Sequence, residues 1–186
     1  MPLTTLDANT ALVVIDLQKG ILSFPTAHSP APVVERARRL ARAFRERGWP
    51  VVLVNLAGVS PGRTDGGRMN FAPPPDWLEI VPELDPQASD IRITKRQWGA
   101  FHGTALDLEL RRRGVTQIVL CGIATSIGVE STARDAYERG YNVTLIVDAM
   151  TDRSPEAHEN SLARIFPRLG ETGTTDALLG LLAKSD

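Results

Sequence analysis

Short apolar segments alternate with longer amphipathic ones along most of the chain. Six segments predict strands: residues 11–15, 50–55, 90–94, 118–120, 142–147 and 170–174. Five segments between and after them predict helices: residues 33–47, 106–113, 127–138, 155–166 and 175–182. A strand that is apolar throughout is typical of a parallel sheet covered on both faces. The alternation therefore predicts a three-layer α/β/α sandwich around a six-stranded parallel sheet, formed by a single domain over residues 1–186.

Residues 117–152 form the clearest unit in this pattern. An apolar run is followed by a short turn, and the period then changes to that of a helix, which Gly140 ends. A second apolar run, residues 142–147, stops at Asp148. This predicts a strand–helix–strand crossover with parallel strands, in which Ser126 can cap the helix.

Gly128 is unusual, because it lies in the first turn of this predicted helix. A glycine in a helix interior costs roughly 1 kcal/mol relative to alanine. It can be a glycine tolerated near a helix end. Alternatively, the missing side chain lets a ligand approach the N–H groups of the helix N-terminus, which favour anions.

The same segment carries a resemblance to a known family. The run Gly122-Ile-Ala-Thr-Ser-Ile-Gly-Val-Glu-Ser-Thr-Ala-Arg-Asp-Ala136, with Gly140-Tyr-Asn-Val and Asp148-Ala149, resembles the signature of the isochorismatase-like hydrolase superfamily. That superfamily also contains nicotinamidases, N-carbamoylsarcosine amidohydrolases and other cysteine amidases. The resemblance covers roughly residues 10–180 and implies the strand order 3-2-1-4-5-6. The sheet then reverses its order between strands one and four, where such folds bind ligands.

The resemblance implies catalytic positions at Asp16, Lys95 and Gly128. In the cysteine amidases the matching residues are an aspartate, a lysine and the nucleophilic cysteine, so this chain lacks the nucleophile, as isochorismatases proper do. Cys121 lies inside a predicted strand and Ser126 is the expected cap, so neither replaces it. We therefore expect no thioester chemistry.

In isochorismatases the matching aspartate is the acid that protonates a vinyl ether, after which water attacks and pyruvate leaves. A nearby Lys95 lowers the pKa of Asp16, which suits a base, whereas burial raises it. The sequence leaves that balance open. The resemblance further implies a cis peptide bond at Ile123–Ala124 and substrate contacts from Gln18, Trp98, Ile123, Ala124 and Ile127.

Two loop features concern the substrate. Residues 57–76 are rich in Gly and Pro and lack periodicity, which favours a functional loop. Within it, Arg63 or Arg68 can hold a substrate carboxylate, or both can face solvent.

Trp98 and Phe101 follow Lys95 closely enough to remove it from water, although a lone lysine after a strand is commonly a surface residue.

Composition excludes several classes of function. The chain has 21 Lys+Arg against 22 Asp+Glu, a net charge of −1, so it has no electrostatic preference for nucleic acid or an anionic membrane. No signal peptide or membrane span is evident, and the single cysteine fits a reducing cytoplasm. The three histidines lack ligand spacing, and the segment Asn55-Leu-Ala-Gly58 lacks the Asp-x-His of metal-bearing nicotinamidases. We expect neither metal nor cofactor.

The sequence thus predicts a cytoplasmic, metal-independent hydrolase of the isochorismatase type that acts on a small anionic metabolite. By analogy with the family we expect a homo-oligomer, either a dimer or a tetramer. The alternative is a pseudo-enzyme that binds a small ligand without catalysis, although unused buried charges at Asp16 and Lys95 would be costly. A third possibility is an amidase that uses water directly.

Overall fold

The computed structural model describes residues 3–65, 67 and 73–184. Six parallel strands form one sheet in the order β3-β2-β1-β4-β5-β6. The strands are β1 Thr10–Ile15, β2 Val51–Leu56, β3 Ile91–Lys95, β4 Gln117–Ile123, β5 Asn142–Thr151 and β6 Glu171–Gly173. The predicted sheet and its strand order are confirmed.

Helices cover both faces of the sheet. They are α1 Lys19–Leu22, α2 Pro30–Glu46, α3 Leu106–Arg112, α4 Glu130–Glu138, α5 Pro155–Asn160, α6 Phe166–Leu169 and α7 Thr175–Leu182. A 3-10 turn occupies Pro82–Leu84, and π-helical turns at Thr125–Val129 and Ser161–Ile165 precede α4 and α6. Within the described ranges, no helix is both long and apolar enough to cross a bilayer.

The two layers of the core follow from the alternation of side chains along each strand. In β1, Leu12 and Val14 pack with Phe44 of α2 on one face, whereas Val13 and Ile15 pack on the other. Because successive residues of a strand point to opposite faces, a central strand that is apolar throughout supplies both layers. The burial of all six β1 residues is the result.

Two predicted boundaries are wrong. Helix α2 begins at Pro30 rather than at residue 33, because proline suits the first turn of a helix, where its missing N–H has no partner to lose. The short helix α1 lies between β1 and α2, where no helix was predicted. Strand β5 does not stop at Asp148 but continues to Thr151.

The extension of β5 depends on an irregularity in its pairing with β4. The register shifts between Leu120 and Gly122, and Gly122 has a φ of 119°. A Cβ at Gly122 would lie 2.1 Å from the carbonyl oxygen of Ile15. Only a glycine at position 122 therefore allows β4 to lie this close to β1. The shift brings the end of β5 level with the end of β4, where the candidate site lies.

Candidate active site

The three residues that the sequence singled out as catalytic meet at the carboxyl-terminal edge of the sheet. Asp16 directly follows β1, Lys95 is the last residue of β3, and Gly128 lies in the π-helical turn after β4. All three line one cavity of about 520 Å³. Since β1 and β4 are the strands at which the sheet order reverses, the cavity occupies the place where folds of this kind bind ligands.

Lys95 is held in a fixed position by three acceptors. Its Nζ lies 2.7 Å from Oδ2 of Asp16 and donates to the carbonyl oxygens of Trp98, at 2.8 Å, and Gln97, at 3.3 Å. An ammonium group has three N–H donors, so all of them are used. The side chain is 1% exposed, which shows that the expected removal of Lys95 from water occurs.

Asp16 is a buried carboxyl with one oxygen unpaired. Its φ of 53° lies in the left-handed region, which aspartate tolerates better than most side chains. Oδ2 contacts Lys95, whereas Oδ1 has no hydrogen-bond partner among the described residues.

The balance that the sequence left open is decided by burial. Burial raises the pKa of Asp16 from 3.8 to about 6, against the opposing effects of the charge and hydrogen bond of Lys95. With that pKa, about a tenth of the carboxyl groups carry a proton at pH 7.

Gly128 leaves space beside this pair. A Cβ built on it would lie 3.4 Å from Oδ2 of Asp16 and 3.5 Å from Nζ of Lys95, with Cγ2 of Ile15 at 2.9 Å. A longer side chain at this position would therefore start between the carboxyl and the ammonium group. Cγ2 of Ile15 is a methyl group at the end of a side chain, and it would have to shift slightly to admit the added carbon.

The turn that carries Gly128 also contains the expected cis peptide bond, Ile123–Ala124. The carbonyl oxygen of Ala124 accepts hydrogen bonds from the amides of Ile127 and Val129, each at 3.1 Å. Ser126 does not cap the helix as predicted, since it lies inside the π-helical turn and its hydroxyl donates to Asp152. Ile123, Ala124 and Ile127, for which the resemblance implies substrate contacts, all line the cavity.

Aromatic and aliphatic side chains form most of the remaining wall. Trp98 lines the cavity with 61% of its surface exposed, so it lies at the mouth. Val59, Pro73 and Pro74 belong to the loop of residues 57–76, for which the sequence favoured a functional role. Sequence reasoning missed the other contributors, which come from loops or from the ends of short elements: Ile21, Phe24, Leu56 and Trp77.

Gln18 does not lie on the cavity wall, so the expectation that it contacts substrate does not fit its placement. Its side chain is fully buried and donates to the carbonyl oxygens of Leu56 and Trp77 while accepting from the amide of Leu56. Leu56 and Trp77 do line the cavity. Gln18 therefore supports the wall from behind.

A second cationic residue at the cavity, in addition to Lys95, is Arg153, which sequence reasoning also missed. Its guanidinium carbon lies 5.1 Å from the ring centroid of Phe24, and no carboxylate pairs with it among the described residues. Of the two arginines proposed from the sequence, Arg63 is exposed and not part of the cavity wall, and Arg68 lies outside the described residues. Arg153 is the second residue after β5, and the sequence carried no signal for it because the predicted strand ended too early.

No candidate metal site was found in the part of the chain that the structure describes, where no three His, Cys, Asp or Glu side chains cluster suitably. In the segment compared with the nicotinamidase metal site, Nδ2 of Asn55 donates to the carbonyl oxygen of Leu78. The expectation of metal independence stays a prediction.

A six-stranded parallel sheet in the order 3-2-1-4-5-6 between layers of helices is the fold of the isochorismatase-like hydrolases. Residues 10–177 match the isochorismatase domain family, and the chain belongs to that family. It is 48% identical over 181 residues to an uncharacterized isochorismatase family protein, YwoC, of Bacillus subtilis, covering 91% of this chain and 92% of that protein.

Solved structures agree with this membership. An isochorismatase family protein from Burkholderia thailandensis superposes with a TM-score of 0.85 at 44% identity, over 98% of both chains. N-carbamoylsarcosine amidase from Thermoplasma acidophilum superposes with a TM-score of 0.75 at 30% identity, over 90% of this chain and 97% of the other. The chain is thus a hydrolase of a family with both isochorismatase and amidase relatives.

Proposed function

We propose that the protein hydrolyses the vinyl ether of a small carboxylate-bearing metabolite of the isochorismate type, by acid–base catalysis and without a covalent intermediate. Asp16 is the general acid. The observation that carries the proposal is the pKa of about 6 at a buried carboxyl that also has a free oxygen. A general acid works best when its pKa lies near the operating pH, and an unperturbed aspartate lies well below it.

The reaction needs only water besides the substrate. Asp16 transfers its proton to the terminal vinyl carbon, and positive charge develops on the neighbouring ether carbon. Water adds to that carbon and its proton returns to Asp16. The hemiketal then collapses: its hydroxyl forms the ketone, the carbon–oxygen bond to the leaving group breaks, and the hydroxyl proton passes to the departing oxygen. The products are an alcohol and pyruvate. Lys95, 2.7 Å from Oδ2, stabilises the negative charge that Asp16 gains after the first step.

Gly128 takes the position of the cysteine nucleophile of the amidases in this proposal. The surroundings of its Cα support the assignment, because a side chain there would start 3.4 Å from Oδ2 of Asp16 and 3.5 Å from Nζ of Lys95. Cys121 offers no substitute, since it is fully buried and burial raises the pKa of its thiol to about 12.

The cavity supports a small anionic substrate. Arg153 at its wall has no acidic partner among the described residues and can pair with a carboxylate by two parallel hydrogen bonds. Apolar residues of the same cavity, with Trp98, Ile123, Ala124 and Ile127 among them, can cover the carbon skeleton. The volume of about 520 Å³ falls in the range of small-molecule sites.

Incubation with isochorismate and a coupled assay for pyruvate tests the proposal. We expect pyruvate release that is lost in Asp16→Asn. The absence of pyruvate at any enzyme concentration would overturn it, and a parallel assay for ammonia from N-carbamoylsarcosine would then separate the two remaining possibilities. Ammonia release would indicate an amidase that uses water directly, and saturable binding without turnover of either compound would indicate a binding protein.

A further inference from the structure

Asp152 is a buried carboxylate that the proposed reaction does not use. It follows β5, is 2% exposed, and has no salt bridge with a described residue. Burying an ionised group is costly unless hydrogen bonds compensate. Here Oδ2 accepts from the amide of Ser126 at 2.7 Å and from its hydroxyl at 2.8 Å, while Oδ1 accepts from the amides of Arg153 at 2.7 Å and Ser154 at 3.3 Å.

These four hydrogen bonds join two separate parts of the cavity. Ser126 lies in the turn that presents Ala124 and Gly128, and Arg153 lies on the wall. The main chain of Asp152 adds a third connection, because its carbonyl oxygen accepts from the amide of Ala27 at 2.7 Å, three residues from Phe24. One residue thus connects the turn at the end of β4, the arginine after β5 and the loop that carries Phe24.

From this arrangement we infer that Asp152 is a positioning residue, which fixes the Gly128 turn relative to Asp16 and Lys95 and sets its spacing from Arg153. The inference rests on the proposed function, in which the reaction occurs beside Gly128 and the substrate anion binds Arg153. Asp152 itself touches neither reacting atom.

The chemistry of the contact requires a carboxylate rather than an isosteric amide. Each oxygen of Asp152 accepts two hydrogen bonds, and an asparagine can offer only one oxygen. Its NH2 group would face either Ser126 or the amides of Arg153 and Ser154. Since all of these groups donate to Asp152, no hydrogen bond would form on that side. Asp152→Asn therefore releases one of the two sides while leaving the volume of the side chain almost unchanged.

Asp148 provides a matched control on the same strand. Its Oδ1 accepts from the amide of Thr175 at 2.7 Å and from its hydroxyl at 2.9 Å, the same pair of donors that Ser126 offers to Asp152. That contact begins α7 instead of the cavity turn. Asp148→Asn removes a negative charge and the ion pair of Oδ2 with Arg36, at 3.3 Å, while its remaining oxygen can still accept from Thr175. It therefore controls for the loss of a charge on β5 away from the cavity turn.

The pKa of a thiol introduced by Gly128→Cys reports the position of the turn without any knowledge of the substrate. It is measured as the rate of alkylation by iodoacetamide against pH, in the Gly128→Cys protein and in the same protein with Asp152→Asn or Asp148→Asn. In the parent we expect a pKa below the free value of about 8.5, since Lys95 favours the thiolate. Cys121 gives little background because it is buried and its thiol pKa is about 12.

The direction in which Asp152→Asn shifts the thiol pKa shows whether the turn has moved or only a charge has been lost. Removing the negative charge of Asp152 would by itself lower the pKa of a nearby thiol, whereas moving the turn away from Lys95 raises it. We expect Asp152→Asn to raise the thiol pKa by about one unit, with a matching loss of alkylation near neutral pH, and Asp148→Asn to leave it unchanged. An unchanged or lower pKa in a folded Asp152→Asn protein would overturn the inference.

The same series of variants also decides the remaining outcomes. If Asp152→Asn does not fold, Ser126→Ala removes only one of the four hydrogen bonds and no charge. A smaller rise then supports the inference and no change overturns it. An ordinary thiol pKa in the parent Gly128→Cys protein would overturn the proposed function, and the inference with it. A thiol pKa that is depressed equally in the parent and in the Asp152→Asn protein would overturn the inference alone.

Discussion

Two buried ion pairs lie at opposite edges of the sheet, each beside a cavity of about 520 Å³. At the carboxyl-terminal edge, Lys95 contacts a single oxygen of Asp16, and Oδ1 is left without a partner among the described residues. At the amino-terminal edge, Arg45 binds both oxygens of Asp90, at 2.9 and 2.8 Å, and Oδ2 also accepts from the amide of Gln87.

The difference lies in hydrogen bonding rather than in burial or cavity size. Asp90 is fully paired, so it has nothing left to offer a ligand, and its pair joins the end of α2 to the start of β3. Asp16 keeps one oxygen free, and burial raises its pKa to about 6. Because buried polar groups in folded proteins are usually satisfied, an unpaired one next to a cavity indicates function.

Replacing each acid by its amide should give opposite results. Asp16→Asn removes the proton donor, and we expect kcat to fall by about 10²-fold or more. Asp90→Asn should leave kcat per folded molecule unchanged but lower the free energy of unfolding by about 3 kcal/mol, since it breaks a buried pair. Steady-state kinetics and urea denaturation of both variants measure these effects. Equal losses of kcat would remove the distinction between the two pairs.

The pH dependence of activity should follow the protonation of Asp16. A general acid works in its protonated form, so kcat/KM should fall as the pH rises through about 6. Lys95 lowers the pKa of Asp16, so Lys95→Met should move this decline to higher pH while reducing kcat. Rate profiles between pH 5 and 9 test both statements. A decline on the acidic side of pH 6 would assign Asp16 as a base.

Chelation should have the smallest effect. We expect exhaustive treatment with a chelator to leave kcat unchanged, because the proposed steps use only Asp16, Lys95 and water. Activity that falls on chelation and returns with a divalent ion would contradict the interpretation of the segment that begins at Asn55.

The sheet could be predicted because buried parallel strands have a strong apolar signal, and the strand order came from the resemblance. The catalytic positions Asp16, Lys95 and Gly128 came from the resemblance as well, and the structure brings them together because the carboxyl ends of parallel strands meet at one edge of the sheet. Asp152 and Arg153 could not be predicted, because the end of β5 depends on a register shift against β4 that no local pattern encodes. Likewise, Gln18 follows β1 closely, but only its tertiary contacts with Leu56 and Trp77 show that it faces away from the cavity.

The central claim is that burial keeps the pKa of Asp16 near 6 although Lys95 lies beside it. Carbon-13 NMR of the aspartate carboxyl groups, with Asp16→Asn used to assign the resonance, measures this directly across pH 3 to 8. We predict a titration midpoint near 6 for Asp16. A midpoint at or below the ordinary value of 3.8 would show that Lys95 outweighs burial, and it would contradict the proposed acid.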